Sequence, residues 1–162
     1  MGKILVFLGG LLLGSGVGAI GGIIIIKEKA RSIAQKYRAL SNKHLQLFRM
    51  MNEWVRIKQE GKSIEEFIIK KGYNKIAIYG VSYAGITLYN ELKKSGVCVK
   101  YFIDKNVGMN VTELQCFSPQ DTLEDVDAII VTAISFYQDI KTALKDKINC
   151  PIVSLEDILY EL

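Results

Sequence analysis

"KIAIYGVSYAGITLYNEL", residues 75–92, joins two patterns of apolar residues through a pair of glycines. A strand-like run, Lys75–Tyr79, meets the turn Gly80-Val81-Ser82-Tyr83-Ala84-Gly85, and an amphipathic stretch follows through Lys94 to a stop at Gly96. Strand, glycine turn and helix open a βα unit in which the helix N-terminus is available to anions. The alternation then continues. Val97–Ile103 has alternating apolar residues and finishes at Asp104, Leu114–Phe117 fits a short strand, and "DAIIVT" (127–132) a buried one. Phe136–Lys147 reads as a helix, Pro151–Val153 as a last strand, and Ser154 with Glu156 and Asp157 caps a closing helix. Strands alternating with helices predict an α/β fold, a parallel sheet flanked by helices, over residues 63–162.

A second glycine motif lies upstream. "GSGVGAIGG" (14–22) contains Gly16, Gly18 and Gly21 in complete G-x-G-x-x-G spacing, but the context is wrong for a phosphate turn. Four isoleucines, Ile23–Ile26, follow where an amphipathic helix belongs, and no charged residue occurs from Ile4 to Ile26. As a helix, that stretch is about 34 Å long at ~1.5 Å per residue, enough for a ~30 Å hydrocarbon core. Residues 1–26 are therefore expected to be a transmembrane anchor. The apolar core of a cleaved signal peptide is only ~7–15 residues, shorter than this one, which leaves cleavage near Val17-Gly18-Ala19 as the minor alternative. Lys27, Lys29, Arg31, Lys36 and Arg38 follow the span closely against Lys3 alone before it, so the body is expected in the cytoplasm of a single-pass protein. Gly10, Gly14, Gly18 and Gly22 fall every four residues, a smooth stripe on which two helices can approach.

Charge divides the remainder. Residues 27–62 carry ten Lys/Arg against three Asp/Glu, whereas 63–162 carry ten against fourteen. A basic stretch beside a span, here 27–38, is attracted to anionic lipid. No interleaved aromatic and basic pattern accompanies it, so nucleic acid is not expected as a partner. The three cysteines, Cys98, Cys116 and Cys150, are scattered and His44 is the single histidine. That argues against zinc and for thiols buried as small apolar groups in a reducing compartment.

Within 27–62, Ile33, Tyr37, Leu40, His44, Leu47, Met51 and Trp54 recur at spacings of four and three. One amphipathic connector helix ending at Gly61 is expected. Its seam either continues a homodimer begun by the glycine stripe as a coiled coil, or packs on the following domain. Leu45, Phe48 and Val55 widen the apolar face and favour packing for the second half. Ser63 and Glu66 then form a capping box for a short helix stopped at Gly72.

The chemistry-bearing positions gather at the sheet's carboxyl edge, where ligands bind in open α/β sheets. Gly80 permits the tight turn and Gly85 close helix–sheet packing, while Ser82 replaces the glycine that admits a pyrophosphate. Ser82 narrows the approach, yet its hydroxyl can donate to a phosphate or ribose. Val81 and Tyr83 complete the turn. Asp104, at the end of the second strand, stands where an acid binds ribose hydroxyls and repels a 2′-phosphate. Thr132, Ala133 and Ser135 follow a later strand on the same edge. The alternative is that these glycines serve turn geometry and packing alone, in a scaffold without a ligand.

The run "KIAIYGVSYAGITLYNELKKSGVCVKYFIDKN", with "DAIIVTA" and "CPIVSLEDIL", resembles the small Rossmann-like domains of bacterial surface-polysaccharide and nucleotide-sugar proteins. Among these are the N-terminal domains of pilin-glycan-type sugar O-acetyltransferases. The resemblance covers roughly residues 73–160. It implies NAD or a nucleotide-sugar at the glycine turn, binding roles for Gly80, Ser82, Gly85 and Asp104, and a polysaccharide-biosynthesis enzyme as partner. The N-terminal "GKILVFLGGLLLG" also looks like the glycine-rich anchors of small Firmicutes envelope proteins.

Catalytic constellations are missing from the sequence. Tyr89 and Lys93 have Y-x-x-x-K spacing, but on the first helix of the fold rather than beside a nicotinamide site. No G-x-S-x-G elbow, Cys–His pair or metal cluster occurs. The expectation is a membrane-anchored nucleotide- or nucleotide-sugar-binding accessory module. The alternative is a ligand-free Rossmann-like scaffold that docks a partner protein at the membrane.

Overall fold

The computed structural model describes the backbone of residues 2–108 and 113–162, and the side chains of 26–108 and 113–162. Helix α1 runs Gly2–Gln59 and α2 Ile64–Lys70. Strand β1 (Lys75–Tyr79), α3 (Tyr83–Leu92) and β2 (Cys98–Ile103) follow, then β3 (Cys116–Phe117) and β4 (Ala128–Val131). A 3-10 turn, Ile134–Phe136, leads into α4 (Tyr137–Leu144), and β5 (Ile152–Ser154) and α5 (Leu155–Glu161) close the chain. The expected order of elements is present. The helix expected over 136–147 is shorter: Phe136 belongs to the 3-10 segment, and the helix ends at Leu144, so 145–147 form a turn.

All five strands are parallel, in the order β3-β2-β1-β4-β5. This is a Rossmann-like arrangement, with β1 at the centre and the order reversing between β1 and β4. Both faces of the sheet are apolar. Ile76 and Ile78 of β1 join Phe102, Ala128 and Ile130 on one face, beneath Ala84, Leu88 and Leu92 of α3 and Leu155, Ile158 and Leu159 of α5. Ala77, Tyr79, Tyr101, Ile103, Ile129 and Val131 form the other, against Ile140 and Leu144 of α4. Burying one such isoleucine contributes roughly 1.5–3 kcal/mol, more than an exposed pair such as Lys71–Glu161 at about 0–1 kcal/mol. The fold rests on the sheet's two faces.

Two compact units divide the chain, residues 1–44 and 45–162. The second takes in 45–62 as well as the expected 63–162 domain. Its part of α1 contributes Met50, Trp54 and Ile57, all buried with α3 and α5. The face turned inward is therefore rotated from the expected Leu47–Met51–Trp54 seam, and Leu47 and Met51 are only half-buried. A polar tie accompanies this packing. Trp54 Nε1 donates to Glu91 Oε2 at 2.9 Å, while Lys58 Nζ lies 2.7 Å from Glu91 Oε1, fixing this face of α1 on α3. In the first unit, Ile33, Tyr37 and Leu40 are exposed.

Among the described residues no helix is long and apolar enough to cross a membrane. The side chains of the expected span, Ile26 apart, lie outside the described residues, as do Gly10, Gly14, Gly18 and Gly22.

Candidate functional site

The site is built on the ends of three adjacent strands. Gly80 follows β1 with φ 112°, a conformation that side-chain-bearing residues rarely adopt, and a Cβ there would lie 2.7 Å from Thr132 Oγ1. Gly85, one turn into α3, sits directly over it: a Cβ at Gly85 would lie 1.9 Å from the Gly80 carbonyl oxygen. Both glycines thus have the geometric roles expected of them, the tight turn and the close approach of helix to strand.

Hydrogen bonds stitch this turn to its neighbours. The Gly80 amide donates to Ile103 O of β2 at 2.8 Å. Thr132, buried at the end of β4, donates from its amide to Tyr79 O at 2.9 Å. Its hydroxyl donates to the same carbonyl at 3.0 Å and approaches Gly80 O at 3.3 Å. Asp104 is half-buried. Its Oδ2 accepts the Val81 amide at 2.8 Å and its Oδ1 the Asn106 amide at 2.9 Å. A carboxylate offers about four lone-pair positions, so two bonds leave capacity for further donors.

These contacts sort the expected site residues. Gly80, Gly85, Thr132 and Ala133 meet at the turn, with the Ala133 amide 3.5 Å from the Gly80 Cβ position. Val81 is buried, so only its backbone takes part, and that amide is engaged by Asp104. Ser82 and Tyr83 face solvent, Tyr83 with 83% of its surface exposed. Ser82 occupies the N-cap position of α3 without a side-chain cap bond. The first amides of a helix have no intrahelical acceptor, so this terminus presents donors and the positive dipole end outward. Ser135 is placed differently from the rest: its hydroxyl donates to Gln46 Oε1 of α1 at 2.8 Å.

Near Asp104 the titrating groups are held neutral. Burial first, and then the Asp104 charge, raise both the Tyr79 phenol and the Cys116 thiol above their ordinary values. Neither has the partner that activates a nucleophile; Asp104 raises the thiol's pKa, where activation requires it lowered. Among the described residues no three His, Cys, Asp or Glu side chains come together as metal ligands. The arrangement can hold a polar ligand by backbone donors and one carboxylate.

Sequence reasoning missed Gln46 and Glu91. Neither belongs to a motif, and Gln46 meets Ser135 across the α1 docking that turns Met50, Trp54 and Ile57 inward. No protein-family model matches the chain, and neither curated proteins nor solved structures give a match.

Proposed function

We propose that this chain is a membrane-anchored binding module for a nucleotide or nucleotide-sugar, an accessory to the enzymes of envelope polysaccharide synthesis. The observation that carries the reading is the Gly80–Gly85 turn at the reversal of strand order, with the outward N-terminus of α3 beside Asp104. Ligands of open α/β sheets lie at this crevice, with phosphates over the helix N-terminus and ribose hydroxyls on the acid after the second strand. Ser82 donates its hydroxyl to a phosphate oxygen, and Asp104 favours a ribose without a 2′-phosphate. NAD, UDP and UDP-sugars are the ligand class. The span at 4–26 anchors the module and leaves its body cytoplasmic, with the basic 27–38 segment against anionic lipid. Copies pair through Gly10, Gly14, Gly18 and Gly22.

The test is calorimetric titration of the full chain in detergent with NAD, UDP and UDP-sugars, alongside Ser82→Phe. Saturable binding that Ser82→Phe weakens about ten-fold or more, with an unchanged melting profile, is the expected result. A folded chain that binds none of them would overturn the reading.

One observation favours a second reading. Both Asp104 oxygens already hold backbone amides, so the acid has a complete structural role without a ligand. On that reading the domain is a scaffold that docks a partner protein. Ser82→Phe then disturbs partner capture rather than nucleotide binding.

A further inference from the structure

We propose that Gln46 and Ser135 form the link through which events in the crevice reach α1. The inference rests on the crevice being the ligand site, but its test is read without ligand. Within the 45–162 unit, α1 runs alongside α3. Its Trp54 and Lys58 meet Glu91 in the last turn of α3, and Gln46 meets Ser135 just beyond the carboxyl end of β4. The helix is therefore held at two levels. At the lower level Met50, Trp54 and Ile57 are at most 3% exposed, and the Trp54–Glu91 bond joins them. At the upper level Leu45 and Phe48 are exposed, Leu47 is half-buried, and the Gln46–Ser135 bond is itself solvent-accessible. The upper turn is the part of α1 that releases at small cost, and it is tied to the segment that follows β4.

The chemistry of the serine makes the link selective. A hydroxyl has one proton to donate and two acceptor positions. Ser135 directs its proton to Gln46. A ligand phosphate oxygen, an acceptor only, that bonds Ser135 takes that proton and so unlatches Gln46. A ribose or sugar hydroxyl can donate to Ser135 while the latch stays closed. The phosphate end of a nucleotide is thus the part that α1 reads.

Hydrogen–deuterium exchange on the full chain in detergent tests this, with wild type, Ser135→Ala, Gln46→Ala, the double variant and Glu91→Gln. Ser135→Ala is expected to speed exchange of α1 amides 47–51 about two- to five-fold, and Gln46→Ala that of 133–137 similarly, the loss of one exposed hydrogen bond. The double variant is expected to be no faster than either single, because one bond is removed in all three. Glu91→Gln is expected to act on 54–58 and to leave 133–137 as in wild type. A single variant whose effect stays on its own side of the bond would overturn the link. So would a Glu91→Gln chain in which 133–137 loosens too, since α1 would then undock as one block. Calorimetry with NAD and UDP on the same samples judges the nucleotide reading separately: absent binding sinks that reading while the exchange result decides the link.

Discussion

The Val81 amide donates to Asp104 Oδ2 across 2.8 Å, tying the glycine turn after β1 to the end of β2. With the Asn106 amide on Oδ1, one side chain holds two loops in place. Asp104→Ala strands the Val81 donor in a half-buried position and is expected to cost about 1–3 kcal/mol. Asp104→Asn retains an acceptor oxygen and is expected to lose less. Urea unfolding of the two variants checks the order, and equal midpoints would contradict it.

Gly85→Ala is expected to be among the most damaging single changes, costing at least about 3 kcal/mol. Its Cβ would meet the Gly80 carbonyl, and backbone there cannot swing aside. Gly108→Ala has open space around it and serves as the control, expected within about 0.5 kcal/mol of wild type. Thermal melting of the pair separates close approach from a general effect of losing glycine.

Trp54 is the sole tryptophan, so its fluorescence reports on α1 docking with no other contribution. Glu91→Ala leaves the indole N–H buried without its acceptor and Lys58 without its carboxylate. A red-shifted emission and a loss of about 1–3 kcal/mol are expected. Unchanged emission would mean that the hydrogen bond does not hold the indole in place.

Alkaline titration probes the opposite face of the sheet. Tyr101 is pushed up to about 12, by burial first and then by the negative charges available at Cys150, Glu124 and Asp125. Its hydroxyl donates to Glu124 O at 2.6 Å, which also favours the protonated form. The unfolded chain releases this proton near pH ~10, so the folded state holds more protons between there and about 12. Its contribution to stability is full below pH ~10 and declines as pH rises through that window. Tyr101→Phe is expected to flatten that part of the stability profile, as measured by urea unfolding at successive pH values.

Much of the architecture was legible because its signals are local. Gly80 and Gly85 mark a turn whose geometry depends on residues five positions apart, and Asp104 follows an alternating strand. The buried runs of β1 and β4 stand out by composition. What was hidden depends on distant pairs. The inward face of α1 could not be read from its heptad spacing alone, because Leu45, Phe48 and Val55 make the helix apolar on more than one side. The face that turns inward, Met50, Trp54 and Ile57, packs on α3 and α5, and Glu91 of α3 bonds its Trp54. The Asp104–Val81 bond and the Gln46–Ser135 bond join exposed or half-buried polar groups, which leave no periodic trace. The order of strands was equally silent, since nothing local says that β4 lies beside β1 rather than beside β3.

The sheet's outermost strands are its shortest: β3 has two residues and β5 three, and Pro151 stands immediately before β5 with no amide proton to offer. A chain laid against either edge would gain few backbone bonds. Growth by adding strands onto β3 or β5, a route to fibres, is thereby blunted. Copies of this domain that associate would meet through helices and loops, where Phe48 and Val55 of α1, Tyr83 of α3 and Tyr160 of α5 are among the exposed apolar side chains on which selection for or against self-association can act.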